Sequence, residues 1–345
     1  MTTLWQAISR IQPLDEGAMA AARARQDTLT KPAGSLGRLE AISIQLAGIT
    51  RQPIPKIGAK TVLVMAADHG VATEGVSAYP AEVTPQMVAN FEAGGAAINV
   101  LARHVGASVR VLDMGVGRPT ANIARGPAMD RATATACIER GIAAAEEEIT
   151  RGATLLATGD MGIGNTTPSS AIVAAFSSLP ARQVTGRGTG VSDQQFEQKV
   201  AVVRRALEVN RPDPADALGV LAAVGGFEIG GIAGVIIGAA AGGVPVVLDG
   251  FISGAGALIG ARLAPGCVPY MFAAHRSVEV GHTVALNLLG LEPLLELDLR
   301  LGEGTGAALA MSLIEAAAKV LAEMATFAEA GVSESDEQAH TPQPA

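Results

Sequence analysis

The sequence predicts an α/β protein built on a largely parallel β-sheet flanked by helices. Short apolar runs recur along the chain, each ends near a small or polar residue, and a helix-like segment follows. This alternation of strand, loop and helix is typical of parallel sheets. Hydrophobic residues make up 49% of the 345 residues but aromatic residues only 3%, and 41 positions are glycine. The core is therefore expected to consist of small aliphatic side chains between closely approaching backbones.

Five apolar runs are the predicted strands. They are Thr61 to Ala67, Val109 to Leu112, Thr154 to Ala157, Val244 to Leu248 and Val268 to Phe272. The loops after them carry polar residues, among them His69, Asp160, Asp249 and His275. Because ligands bind at the carboxyl ends of parallel strands, these loop tips are expected to share one cleft.

Helix-like stretches near both chain ends predict a smaller helical domain. They span residues 14–26, 35–50 and 306–328. The predicted boundaries are 1–58 for the N-terminal helices of the small domain, 59–300 for a large α/β domain and 301–330 for the C-terminal helical part of the small domain. Residues 331–345 are polar, contain proline and lack apolar periodicity, so a flexible tail is expected there.

Charge and cysteine content exclude several kinds of partner. Asp and Glu number 33 against 25 Lys and Arg, and the resulting charge of -8 disfavours a nucleic-acid partner. Cys137 and Cys267 are the only cysteines, which excludes a disulfide framework and fits a reducing compartment, so a cytoplasmic location is expected. Charged residues and a proline interrupt the N-terminal segment before it reaches the apolar length of a signal peptide, so no export signal is predicted. The charged run from Glu292 to Arg300 is interpreted as a solvated helix face.

One uncharged stretch is long enough to span a bilayer. It runs from Ile229 to Leu248, and Gly242, Gly243 and Pro245 interrupt it. The interruption favours a buried helix, a turn and a buried strand over a membrane span. No membrane partner is therefore predicted.

Two glycine-rich segments predict an anion site. The first runs from Thr158 to Thr167, after a predicted strand and before a helix, where backbone N–H groups and a helix N-terminus favour phosphate. The same segment is also compatible with a tight turn capped by Thr166 or Thr167. The second runs from Thr185 to Gly190 and precedes a helix with Lys199, which is either a point charge for phosphate or a surface lysine.

A third glycine pattern resembles a dinucleotide-binding motif. Gly254, Gly256 and Gly260 follow the run that ends at Leu248. A dinucleotide fold requires the glycines at the strand–helix turn, and here Asp249 intervenes. Helix packing is the favoured interpretation, and an NAD-linked oxidoreductase remains the alternative.

Glu303 is the candidate general base. Gly302 and Gly304 flank it ahead of an Ala-rich helix, so a flat ligand can approach its carboxylate. The alternative is that Glu303 only complements the helix dipole, as in a non-catalytic mononucleotide-binding protein. The five histidines lack HExxH or similar spacing, so no metal site is predicted. His69 and His275, at predicted strand ends, are possible hydrogen-bond donors to a ligand.

Six ordered motifs, spread over nearly the whole chain, resemble the nicotinate-nucleotide:dimethylbenzimidazole phosphoribosyltransferase family. They are Lys31-Pro-Ala-Gly-Ser-Leu-Gly-Arg-Leu-Glu40, Ala67-Asp-His-Gly-Val71, Gly162-Ile-Gly-Asn-Thr-Thr-Pro168, Val224-Gly-Gly-Phe-Glu228, Leu248-Asp-Gly-Phe251 and Arg300-Leu-Gly-Glu-Gly304. The resemblance implies phosphoribosyl transfer from nicotinate mononucleotide to a benzimidazole, with inversion and with no metal or other cofactor. It also implies a homodimer of chains with a large Rossmann-like α/β domain and a small helical domain from both chain ends.

The resemblance also implies roles for individual residues. Glu303 aligns with the catalytic base of the family. The phosphate and ribose residues implied are Asp160, Gly162, Gly188, Lys199, Gly250 and Ser277. Tyr79, Gln86 and Met87 fall in the stretch that lines the base pocket. Members of the family often have Glu where this chain has Asp160, so its side chain is one methylene shorter.

Overall fold

Five parallel strands form one sheet in the computed structural model, which describes residues 2–188 and 190–333. The strands are β1 (Ala59–His69), β2 (Ala107–Thr120), β3 (Ala153–Met161), β4 (Val246–Leu248) and β5 (Met271–Ala273). Every neighbouring pair is parallel, which confirms the predicted α/β class. Of the predicted flexible tail, residues 334–345 lie outside the described residues.

The strand order places a crevice at one edge of the sheet. The order is β2-β1-β3-β4-β5, so the chain moves outward from β1 to β2 and then crosses back to β3 on the other side. In a doubly wound sheet of this order, the loops after β1 and β3 diverge and leave a crevice at the carboxyl ends of the strands. His69 ends β1 and Met161 ends β3, so the loops that follow these residues begin on either side of the switch point.

Helices precede, connect and follow the strands. They are α1 (Leu4–Arg10), α2 (Glu16–Thr28), α3 (Arg38–Thr50), α4 (Val83–Glu92), α5 (Ala97–Val105), α6 (Arg131–Thr150), α7 (Thr166–Ser177), α8 (Ala181–Val184), α9 (Asp193–Asn210), α10 (Ala217–Val224), α11 (Phe227–Ala241), α12 (Phe251–Leu263), α13 (Val280–Leu289), α14 (Thr305–Glu323) and α15 (Phe327–Ala330). Two 3-10 helices span Gly70–Glu74 and Pro265–Tyr270. Residues 292–300, interpreted from the sequence as a helix face, lie in a loop between α13 and α14.

The chain divides into two compact units. The first comprises residues 1–13 and 58–312 and contains the sheet; the second comprises residues 14–57 and the chain from Leu313 onward. The predicted division placed residues 1–58 and 301–330 together. In the structure α1 belongs to the sheet-containing unit, because the buried Leu4 donates its N–H to Glu139 of α6 over 3.1 Å.

The second unit is helical and has its own small core. Ala18 and Ala22 of α2 pack with Ala47 of α3 and Leu321 of α14. Arg25 donates from Nε to the carbonyl oxygen of Leu321 over 2.7 Å, which also joins α2 to α14. These alanine contacts agree with a core of small side chains.

The uncharged stretch from Ile229 to Leu248 is a buried helix, a turn and a buried strand, as predicted. It comprises most of α11, the turn at Gly242 and Gly243, and β4. Within the described residues, α14 alone has the length and composition of a membrane span, and 56% of its apolar window is buried inside the protein. Length and composition by themselves are weak evidence for a span.

Glycine allows α6 and α11 to pack backbone against backbone. A Cβ added to Gly141 would lie 2.0 Å from the carbonyl oxygen of Gly231, and one added to Gly234 would lie 1.9 Å from that of Ile138. In α12, a Cβ on Gly256 would lie 2.5 Å from Ile232 Cγ2. The glycines of the dinucleotide-like pattern therefore lie inside α12, where Gly256 and Gly260 pack against α11 and Gly254 packs against α13, so they serve helix packing as the favoured interpretation of the sequence held.

Gly234→Ala is expected to destabilise the fold by about 1 to 3 kcal/mol, because the new methyl group must push two helix backbones apart. Gly260→Ala is the matched control, since its Cβ would meet no atom closer than 3.6 Å. That change is expected to be neutral or to stabilise by up to about 1 kcal/mol through helix propensity. Denaturant unfolding of both variants measures the difference, and equal midpoints would contradict the close crossing.

Candidate functional site

A cleft lies at the carboxyl edge of the sheet, where the loops after β3, β4 and β5 meet. Its empty volume, counted out to bulk solvent, is about 630 Å³. Five of the predicted phosphate and ribose residues line it: Asp160, Gly162, Gly188, Gly250 and Ser277. Lys199, Glu303, Tyr79, Gln86 and Met87 are not among the described residues that line it. Of the four strand-end residues expected to share one cleft, Asp160 and His275 line it, and His69 and Asp249 do not.

Lys199 lies behind the wall of the cleft. Its side chain is fully buried, which excludes the surface-lysine interpretation, and Nζ donates to Thr166 Oγ1 over 2.8 Å. Thr166 is the first residue of α7 and does line the cleft. Burial lowers the pKa of Lys199 to about 8, and the charge of Glu279 opposes this shift. Lys199 therefore brings positive charge to the start of α7 through a hydroxyl group.

Two predicted backbone donors already have acceptors within the protein. The N–H of Gly188, which has φ +52°, donates to Glu279 Oε1 over 2.7 Å. The N–H of Ser277 donates to His282 Nδ1 over 3.0 Å, so neutral His282 carries its proton on Nε2. Burial lowers the pKa of His282 to about 3, and the charge of His275 acts in the same direction. A ligand that uses either N–H must replace an internal acceptor.

Glu303 lies in a loop of left-handed residues. Gly302, Glu303 and Gly304 have φ of +82°, +64° and +94°. Glu303 donates its N–H to the carbonyl oxygen of Asp160 over 3.2 Å. A Cβ on Gly159 would lie 2.4 Å from the carbonyl oxygen of Glu303, so the loop packs directly on β3. A non-glycine residue in this region is strained, and such strain persists where the surroundings hold it.

The Glu303 carboxylate is held at the start of α5. Oε2 accepts the N–H of Ile98, in the first turn of that helix, over 3.3 Å. Burial raises the pKa of Glu303, the Ile98 N–H lowers it, and the charge of Asp249 raises it. The net shift is upward, which is the direction that suits a general base near neutral pH.

Asp249, and not Glu303, satisfies the N-terminal N–H groups of α14. Its Oδ2 accepts from Gly304 over 3.1 Å and its Oδ1 accepts from Ala307 over 3.0 Å. Burial raises the pKa of Asp249, while the charge of His275 and these backbone donors lower it. Asp249 therefore complements the dipole of α14, whereas the Glu303 carboxylate lies at the N-terminus of a different helix, α5.

Four buried carboxyl groups, those of Asp160, Asp249, Glu228 and Glu303, lie close enough for their charges to interact, and Asp160 lines the cleft. Asp160 accepts from Asn165 Nδ2 on Oδ2 over 2.9 Å, and its Oδ1 has no hydrogen-bond partner. Burial raises the pKa of Asp160 well above its usual value, and the charges of Asp249, Glu228 and Glu303 act in the same direction. An accumulation of buried acids favours a ligand that carries or develops positive charge.

His69 connects β1 to this acidic cluster. Its Nε2 lies 2.8 Å from Glu228 Oε1, and both side chains are buried. A Cβ on Gly162 would lie 3.2 Å from the same Nε2. His69 thus lies directly beneath a glycine of the cleft wall, and its contact is with Glu228 rather than with open space.

The predicted base-pocket residues lie beside the cleft and not in its lining. Tyr79 is 56% exposed, and Gln86 and Met87 are on α4. Thr84 of α4 accepts the N–H of Ile163 on Oγ1 over 3.1 Å, and Ile163 lines the cleft. This hydrogen bond connects α4 to the cleft wall, but the side chains of Tyr79, Gln86 and Met87 do not line the cleft.

Sequence reasoning missed three residues that line the cleft. Asn165 orients Asp160, Glu279 holds Gly188, and Arg300 donates from a terminal guanidinium nitrogen to the carbonyl oxygen of Gly188 over 3.2 Å. Sequence reasoning could have found Arg300, because it lies three residues before the candidate base Glu303. No sequence signal identified Glu279, because its partner Gly188 lies 91 positions away in the chain.

Comparison with known proteins gives consistent matches over almost the full chain. A family model described as phosphoribosyltransferase matches residues 11–332. The chain is 60% identical to the nicotinate-nucleotide–dimethylbenzimidazole phosphoribosyltransferase of Chloroflexus aggregans, covering 98% of this chain and 100% of that one. It is 56% identical to the enzyme of the same name from Geobacter sulfurreducens, covering 97% and 100%. A crystal structure of the Thermus thermophilus enzyme of that name matches with TM-score 0.89 and 48% identity, covering 93% and 100%.

Asp160→Asn is expected to unfold at a higher temperature than the wild type at pH 7. A carboxyl group whose pKa is raised on folding stabilises the fold fully below its unfolded pKa of about 3.9 and loses that contribution as the pH rises through its folded pKa. Asparagine keeps an oxygen for Asn165 and cannot ionise, so its advantage should shrink toward pH 4. Melting curves from about pH 4 to 7 measure it.

Asp27→Asn, at an exposed position of α2, is the matched control and is expected to show no such trend. Equal or lower stability of Asp160→Asn at pH 7 would contradict the expected cost of burying this carboxyl group.

Proposed function

Because this chain belongs to the phosphoribosyltransferase family, we propose that it performs the reaction for which its relatives are named. The enzyme transfers the phosphoribosyl group of nicotinate mononucleotide to 5,6-dimethylbenzimidazole or a related azole. It releases nicotinate and forms α-ribazole 5′-phosphate, for the nucleotide loop of cobalamin. The observation that carries the proposal is the buried Glu303 carboxylate, held on a strained loop against β3 beside the cleft.

Glu303 is the proposed catalytic base. One azole nitrogen attacks the anomeric carbon while the other loses its proton to the Glu303 carboxylate. The bond from that carbon to nicotinate breaks, and its electron pair returns to the pyridine nitrogen, which is cationic in the nucleotide. The leaving ring needs no proton, so one base is sufficient. The raised pKa of Glu303 supports this role because proton transfer is most efficient when the pKa lies near the working pH.

The acidic cluster is proposed to stabilise positive charge at the anomeric centre. Asp160 lines the cleft and Asp249 is buried behind the Glu303 loop. Positive charge that moves from the pyridine ring toward the ribose as the bond breaks would be attracted by both carboxylates. Asp160 is the proposed ribose residue.

The phosphate is proposed to bind along the glycine-rich wall. Gly162, Gly188, Gly250 and Ser277 line one cleft, and small residues allow an anion to approach the backbone. The start of α7, with Thr166 and the charge of Lys199 behind it, adds the positive end of a helix dipole. Lys199 supplies its charge from a buried position, so it need not move to act.

The azole is proposed to bind against α4. Gln86 and Met87 lie on this helix and Tyr79 precedes it, and Thr84 anchors the helix to the cleft wall.

We further propose that the enzyme is a cytoplasmic homodimer. The two cysteines, both free in the structure, support a reducing compartment. Light scattering tests the dimer, which a monomeric mass would contradict.

Product analysis tests the proposed reaction. Purified protein mixed with nicotinate mononucleotide and 5,6-dimethylbenzimidazole is expected to release nicotinate and an α-linked ribazole phosphate in equal amounts. Chromatography separates both products. Mononucleotide binding without turnover on a panel of azoles would support a non-catalytic binding protein instead.

Glu303→Gln is expected to lower turnover by about a hundred- to ten-thousand-fold, the usual contribution of a general base. The amide oxygen can still accept the Ile98 N–H, so folding and mononucleotide affinity should change little. Initial rates, with melting temperatures as the check on folding, measure the effect. Glu147→Gln, at an exposed position on α6, is the matched control and should keep wild-type turnover. Turnover near wild type in Glu303→Gln would remove Glu303 from the role.

A further inference from the structure

The Glu279 carboxylate lies against Gly186 and Gly188 of the second glycine-rich segment. Glu279 immediately precedes α13 but makes no capping hydrogen bond to that helix. Its side chain turns to the loop, where Oε1 accepts the Gly188 N–H over 2.7 Å. Oε2 has no hydrogen-bond partner, and a Cβ on Gly186 would lie 2.2 Å from it. The residue is only 5% exposed and lines the cleft.

The same carboxylate faces the buried charge of Lys199. Glu279 is the group whose charge raises the pKa of Lys199 against burial. Lys199 Nζ would lie 3.0 Å from a Cβ placed on Gly188, so the lysine and the carboxylate meet around one residue. A buried lysine is stable when an opposite charge accompanies it. In the structure Glu279 supplies that charge.

Glu279 thus engages the groups assigned to phosphate. We propose, on the basis of the proposed function, that Glu279 is a specificity-determining residue whose carboxylate occupies the phosphate subsite until the phosphate of the mononucleotide displaces it from the Gly188 N–H. Two anions at the same donors repel each other. Inorganic phosphate has only these contacts with which to displace the carboxylate, whereas the mononucleotide adds its ribose and ring. The enzyme therefore discriminates against inorganic phosphate.

A displaced carboxylate has space to occupy. Glu279 also lines a second, open cavity, whose empty volume of about 830 Å³ includes bulk solvent. Arg187 and Arg300 line this cavity too, and Arg300 is held by the Gly188 carbonyl oxygen. Rotation of Glu279 toward these guanidinium groups would keep the carboxylate near positive charge while it frees the Gly188 N–H.

Calorimetric titration with inorganic phosphate tests the proposal. Glutamine at position 279 can still accept the Gly188 N–H but carries no charge. Glu279→Gln is expected to bind inorganic phosphate about tenfold more tightly than the wild type, or more, because a close like charge has been removed. Measurement near pH 6, well below the Lys199 pKa of about 8, keeps the lysine protonated. Glu296→Gln, an exposed partner of Arg276, is the matched control and should bind like the wild type.

Equal or weaker phosphate binding by Glu279→Gln would overturn the proposal and make Glu279 a fixed support of the loop. Undetectable phosphate binding to both the wild type and Glu279→Gln would also overturn the proposal. If the variant fails to fold, a crystal structure of the wild type with nicotinate mononucleotide decides. A phosphate oxygen at the Gly188 nitrogen is expected, and Glu279 still bound there would overturn the proposal. The titration needs no turnover, so absence of product from the wild type would refute the proposed reaction separately.

Discussion

The position of the Glu303 loop depends on one buried carboxylate. Asp249 follows the last residue of β4 and accepts the N–H groups of Gly304 and Ala307. This pair of bonds ties the start of α14 to the carboxyl edge of the sheet. Charge-assisted bonds of this kind are stronger than neutral ones, and the helix dipole adds to them. The left-handed backbone of Glu303 is held because the residues after it are fixed to the sheet.

Close backbone approach is the second constraint on the site. Gly159 of β3 has no room for a Cβ beside the Glu303 carbonyl oxygen, and Gly302 would place one 3.1 Å from both Asp160 carboxylate oxygens. The Glu303 loop and the cleft wall are therefore in direct contact. Glycines allow the same closeness between α6 and α11 in the core. The high glycine content thus allows close packing both in the core and at the Glu303 loop.

Local pattern predicted much of the architecture. The helices expected at 14–26 and 35–50 begin two or three residues later in the structure, and every predicted strand has a counterpart. Glu303 stood out because glycines flank it in sequence. The burial of Lys199 and the roles of Glu279 and Asp249 were beyond local pattern, because each depends on contacts with residues distant in the chain. Parallel strands need long crossovers, so the partners in such a site are seldom neighbours in sequence.

The crossing of α6 and α11 limits how this fold can diverge. Gly141 and Gly231 meet with neither carrying a side chain, and Gly234 meets the backbone at Ile138. In most helix contacts a larger residue on one side can be accommodated by a smaller residue on the other. Here the partner is already glycine or backbone, so no compensating second change exists at the contact itself. Substitutions are therefore expected at other positions and not at these glycines. A larger residue at the crossing would require both helices to move apart.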